Sequence, residues 1–154
     1  DIFNNQKNYI SSIINDFESV LSSENFDDPE SGYRSLIDID SFIDFFIMNE
    51  ITKNIDGYRL STYINVDIDK KIKMGPIWDF NLAFGNADYC DAANTQGWVY
   101  NFNSICPGDI WQVPFWWRRL MESVYFKDRL NDQVFNLSIS TQLMDSLLIL
   151  DQLN

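Results

Sequence analysis

The run Asn54-Ile55-Asp56-Gly57-Tyr58-Arg59-Leu60-Ser61 and, fourteen residues further on, Gly75-Pro76-Ile77-Trp78-Asp79-Phe80-Asn81 decide how this chain is read. Upstream, Phe42, Ile43, Phe45, Phe46, Ile47 and Ile51 cover so much of a helical circumference that a buried helix must lead into Asp56. Asp38 or Asp40 can cap its start, and it should end near Asn54. Between the two runs, Tyr58 to Val66 and Lys71 to Trp78 alternate β-branched and aromatic residues with polar ones around Asp67-Ile68-Asp69-Lys70, the pattern of a hairpin. Asp67-Ile68-Asp69 lacks the Gly and the terminal Glu of an EF-hand loop and reads as a polar turn. The order is therefore buried helix, Asp56, hairpin, Asp79.

That order suits phosphoryl transfer. The protein does little covalent work in such a reaction, since positioning and charge neutralisation supply most of the rate. One carboxylate must receive the proton of the attacking hydroxyl, and another must hold the Mg²⁺ that bridges phosphate oxygens. Protein kinases place the first in a loop after a buried helix, with a second Mg²⁺ ligand five residues later and the metal-binding Asp in an Asp-Phe-Gly turn. Here Ser61 stands five residues after Asp56, and Asp79-Phe80-Asn81 supplies the turn. A hydroxyl can ligate Mg²⁺ with less reach than an amide oxygen. Asn81 stands where Gly is usual, and Asn tolerates positive φ better than most residues.

Four stretches carry a family resemblance: Asn49-Glu50-Ile51, Asn54 through Tyr63, Gly75 through Asn86, and Pro114-Phe115-Trp116-Trp117-Arg118-Arg119-Leu120. Together they resemble the CotH kinase family, the spore-coat-protein-H-like atypical protein kinases, in the form found in large surface proteins of Bacteroides-type bacteria. The resemblance covers roughly residues 36–135, and Gly75 to Asn81 is its most specific piece. It implies a kinase-like fold that uses ATP and Mg²⁺ to phosphorylate Ser or Thr of exported or surface proteins, with the full-length protein itself at the cell surface or secreted. By position, Asp56 becomes the catalytic Asp and Asp79 the Mg²⁺ ligand. Ser61 and Asn81 become auxiliary nucleotide-site residues, with Ser61 also a metal ligand.

Composition bounds the rest. Residues 1–154 read as a single domain with room for one continuous core. A net charge of -12 repels phosphate backbones, so nucleic acid is not an expected partner. The chain contains no His, which removes Ser-His-Asp and Cys-His chemistry and leaves carboxylates to act. No apolar run approaches a membrane span. The start at Asp1 and an end inside an apolar helical pattern point to a fragment of a longer protein. A kinase also needs a Lys-bearing strand and a phosphate-covering loop ahead of the catalytic loop. Only helix and loop precede Asp56, and the six glycines form no G-x-G-x-x-G. The expectation is a mainly α fold with one small β-hairpin, the helical C-terminal lobe of a divergent kinase. Alone it should be inactive and hold no tightly bound nucleotide.

Outside that core, residues 2 to 22 space Ile2, Phe3, Ile10, Ile13, Ile14, Phe17, Val20 and Leu21 for an amphipathic helix, and Ser22 to Ser35 reads as a loop. Asp79 to Asp109 reads as a long irregular loop, and helix resumes from Pro114, ending in the apolar stretch Leu143 to Leu153. Cys90 and Cys106 flank part of the loop, and a bridge and two free thiols both remain open. Of Trp116 and Trp117, adjacent on a helix, one is expected in the core and one half exposed. Aromatics make up 16% of the chain, which supports a competing reading as a non-catalytic surface module binding polysaccharide or a partner protein through its rings. A third reading, a glycosidase using Glu50 and Asp79, requires the two carboxyl groups about 5 to 9.5 Å apart.

Overall fold

The computed structural model describes residues 2–66 and 71–151. Helix α1 runs Ile2–Ser22, α2 Ile39–Thr52, α3 Phe102–Ile105, α4 Trp116–Leu120 and α5 Val124–Asp151. Strands β1 (Ile64–Val66) and β2 (Ile72–Met74) pair antiparallel in the register Ile64↔Met74, Asn65↔Lys73, Val66↔Ile72. The fold is mainly α with one small hairpin, as the sequence led us to expect. The expected turn at Asp67 to Lys70 lies outside the described residues.

Helix α2 is the centre of the molecule. Asp38, not Asp40, caps it, accepting from the Ser41 amide at 3.0 Å. Asp40 and Asp44 instead face α5, pairing with Arg129 and Gln133. Phe42, Ile43, Phe45, Phe46 and Ile47 are all buried. Trp117 stacks on Phe45, its ring centre 5.6 Å away, and lies 4.8 Å from Tyr58. Ile51, expected in this core, is 72% exposed, because the helix ends one residue later and the chain there turns away.

Both tryptophans of α4 are buried, correcting the expectation of one in and one out. The end of α1 covers the second ring: Trp116 sits edge-on to Phe17 at 5.2 Å and donates its indole N–H to Glu18 at 2.8 Å. Helix α1 contributes to the core from its C-terminal half, with Phe17 and Leu21 buried and Ile13 and Ile14 partly buried, while Phe3 and Ile10 are exposed. Phe126 and Leu130 dock the start of α5. The backbone of α5 continues helical to Asp151, and the side chains of the expected apolar stretch from Leu143 lie outside the described set.

The hairpin is shorter than the alternation implied. Tyr58 to Ser61 is a tight turn, not strand, for the local reason given below. A bridge from Ile37 to Ile72, with the Ile72 amide on the Leu36 carbonyl and the Asp38 amide on the Ile72 carbonyl, moors β2 to the start of α2. The segment from Asp79 to Asp109 is mostly irregular, but it contains a 3-10 turn at Val99–Asn101 and α3.

Candidate active site

Helix α2 stops where Lys53 turns left-handed at φ 53° and its amide closes onto the Asn49 and Glu50 carbonyls. Three residues on, the Asp56 carbonyl accepts the amides of Arg59, Leu60 and Ser61 at 3.3, 3.0 and 2.9 Å. That convergence bends Tyr58 to Ser61 into a turn and sends the Tyr58 ring inward. Its hydroxyl donates to Glu50 Oε1 at 3.0 Å. Gly57 sits so close to the Asn49 side chain that a Cβ would lie 1.8 Å from Oδ1, so any larger residue there must displace Asn49.

The Asp56 carboxylate is 14% exposed. Its Oδ1 accepts from Arg59 Nη2 at 2.8 Å and from the Tyr89 hydroxyl at 3.1 Å. On the other side of the hairpin, Asp79 is exposed and sits at φ 60°, a left-handed conformation uncommon for a non-glycine residue. The sequence reading placed that tolerance at Asn81; the structure puts the left-handed residue two positions earlier. Ser61 Oγ donates to Asp79 Oδ2 at 3.0 Å. Ser61 therefore joins the two runs, through its amide to Asp56 and through its hydroxyl to Asp79. Asn81 is exposed, and its carbonyl accepts from Asn86 Nδ2 at 2.7 Å; among the described residues its side chain makes no bond to Asp79 or Ser61.

A carboxylate and a hydroxyl side by side form a hard-oxygen donor set, which fits Mg²⁺ better than a softer metal. Among the described residues, three metal-capable side chains of the His, Cys, Asp and Glu kinds gather only at Cys90, Cys106 and Asp109. There the two sulfurs are joined in a disulfide, which resolves the alternatives left open for this pair.

Glu50 is buried rather than a solvated helix side chain. Besides Tyr58, it accepts the Val99 amide at 2.8 Å and the Tyr100 amide at 2.9 Å, so it anchors the 3-10 turn of the long loop. Burial pushes its carboxyl above the usual range, and the two amides and Tyr58 work against that rise. With both oxygens filled, Glu50 serves as an anchor, and the glycosidase reading loses its second carboxylate. Lys53 holds the same loop by donating to the Gln96 carbonyl at 2.8 Å and to that of Gly97.

The residues that sequence reasoning missed lie far along the chain. Arg59 reaches Asp109 Oδ1 and the Trp111 carbonyl, both at 3.1 Å, and Tyr89 at 2.9 Å. Burial raises the Tyr89 hydroxyl above its ordinary pKa, and the neighbouring Asp56 charge adds to the rise while Arg59 opposes it. No motif marks Tyr89 or Asp109, because their approach to Asp56 depends on how the long loop folds back. Trp78 is 46% exposed and lies against Tyr63 with ring centres 5.1 Å apart.

No curated protein and no solved structure matches the chain. Among the described residues no helix is long and apolar enough to cross a membrane. Over residues 1–148 the sequence matches the family described as CotH kinase protein, extending well beyond the motif core at 36–135. The helix, the two Asp-bearing turns and the hairpin between them are thus parts of a kinase-like protein, and the chain belongs to the CotH kinase family.

Proposed function

We propose that the full-length protein carrying this chain transfers the γ-phosphate of ATP to Ser or Thr hydroxyls of exported or surface proteins. The observation that supports this most is the bond from Ser61 Oγ to Asp79 Oδ2, which joins the two motif runs at the positions where a kinase keeps its metal ligands. Asp56 accepts the proton of the attacking hydroxyl, since a carboxylate with one oxygen committed still has a second to receive it. Asp79 and Ser61 would hold Mg²⁺, whose charge neutralises the phosphate oxygens during transfer. Asn81, exposed two residues from Asp79, would approach the nucleotide from the open side. The test is labelling with radioactive ATP, comparing the wild-type full-length protein with Asp79→Ala and Asp56→Asn. Labelling in the wild type that both variants lose is the expected result; equal labelling in all three removes these residues from the mechanism.

A second reading has an observation of its own. Tyr63 and Trp78 are 48% and 46% exposed and contact each other beside Asp79, a surface on which a sugar ring can stack. A polysaccharide-binding module would lose glycan retention in Trp78→Ala while transferring no phosphate in any form.

A further inference from the structure

A guanidinium has five N–H donors in a fixed plane. In Arg59 each donor has an acceptor: Nε the Ile55 carbonyl at 3.1 Å, Nη1 Asp109 Oδ1 and the Trp111 carbonyl, and Nη2 Asp56 Oδ1 and the Tyr89 oxygen. The side chain is 2% exposed and lies over the Phe102 ring at 4.2 Å. Tyr89 accepts from Arg59 and donates to the same Asp56 oxygen that Arg59 holds, so three bonds close a ring. Both bonds to the Asp56 carboxylate fall on Oδ1, and Oδ2 carries neither.

Two of these acceptors, Tyr89 and Asp109, come from distant arms of the long loop. Tyr89 precedes Cys90, and the Asp109 amide bonds the Cys106 carbonyl at 3.2 Å. The Cys90–Cys106 disulfide joins those arms covalently, with its sulfurs within 4.8 Å of an Asp109 carboxylate oxygen.

We propose that Arg59 and Tyr89 are positioning residues for Asp56, held in register by the Cys90–Cys106 disulfide, and that they load Oδ1 so that Oδ2 is presented to the substrate hydroxyl. The inference deepens the kinase reading above and rests on it. A free carboxylate rotates broadly about its last torsion. Two bonds to one oxygen, one of them from a cation, remove that freedom, and a proton acceptor works only within hydrogen-bond reach of its proton. Lysine cannot stand in for Arg59, because three donors on a flexible stem cannot meet acceptors spread around a plane.

Two measurements test this. In nitrogen-15 NMR of the chain, a guanidinium held at every donor gives separate, slowly exchanging Nη–H signals for Arg59. Tyr89→Phe and Asp109→Ala are each expected to merge them, and merged signals in the wild type overturn the clamp. In the full-length protein, Tyr89→Phe is expected to lower kcat for phosphoryl transfer about tenfold with KM for ATP nearly unchanged, and Arg59→Lys to fail to restore the wild-type rate. A wild-type kcat in Tyr89→Phe overturns the positioning role even if the signals merge. Absence of transfer by the wild type overturns the kinase reading instead, and the NMR comparison still upholds or overturns the clamp.

Discussion

Ser61 donates its hydroxyl to Asp79 Oδ2 at 3.0 Å across eighteen residues of sequence. The same residue gives its amide to the Asp56 carbonyl at 2.9 Å. One 5%-exposed serine thus spans the base of the hairpin and fixes the spacing of the two turns. Removing its hydroxyl leaves a mostly solvated acceptor rather than a buried orphan, so Ser61→Ala is expected to cost about 1 kcal/mol in urea unfolding. A loss above about 3 kcal/mol would indicate a wider collapse than one lost bond.

Gly57 gives a sharper test of the Asp56 turn. A Cβ there would meet Asn49 Oδ1 at 1.8 Å and Cγ at 2.5 Å. Asn49 cannot yield easily, since it is buried and its Nδ2 is tied to the Phe45 carbonyl at 2.8 Å. Gly57→Ala is expected to destabilise by roughly 2 kcal/mol or more through overpacking. Gly108→Ala meets nothing within 4 Å and should stay within about 0.5 kcal/mol of wild type, measured by the same denaturant midpoints.

Glu50 predicts a pH dependence. Its folded pKa is raised above the ordinary glutamate value of 4.5, so between the ordinary and the raised value the folded chain binds more protons than the unfolded one. The favourable contribution of the protonated form is complete below the unfolded pKa and is lost as pH rises through the raised one. Glu50→Gln removes this titration, and the decline in stability just above the usual carboxylate range should flatten. Unchanged slopes in chemical denaturation across that window would contradict the assignment.

The disulfide closes a loop with a sequence separation of sixteen. Replacing both Cys90 and Cys106 by Ala releases a loop of that size in the unfolded chain, an effect worth roughly 3 kcal/mol. The double variant should unfold at lower urea than wild type and be insensitive to reductant, whereas reductant should bring the wild type down toward it.

Much of the architecture could be read in one dimension. A helix apolar nearly all round has nowhere to go but the centre, so Phe42 to Ile47 announced α2 as the core element, and an aspartate cap at its start was legible as Asp38 or Asp40, with the choice of Asp38 left to the structure. Where expectation and structure part, the cause is contact from elsewhere in the chain. Trp116 is buried because α1 crosses it, and Tyr58 leaves the strand because three amides converge on one carbonyl and Glu50 waits for its hydroxyl.

The same division holds at the site. The sequence by itself determined that Asp56 and Asp79 flank a hairpin, with Ser61 at the spacing of a second ligand, because short-range order and periodicity are local properties of the chain. Only the tertiary structure decided which groups touch them: Ser61 on Asp79, Arg59 and Tyr89 on Asp56, and Asp109 behind Arg59 at a separation of fifty residues. Those contacts depend on the path of the irregular segment from Asp79 to Asp109. That path is set by a buried carboxylate, a lysine, a disulfide and a five-donor guanidinium acting together, and no local pattern encodes it.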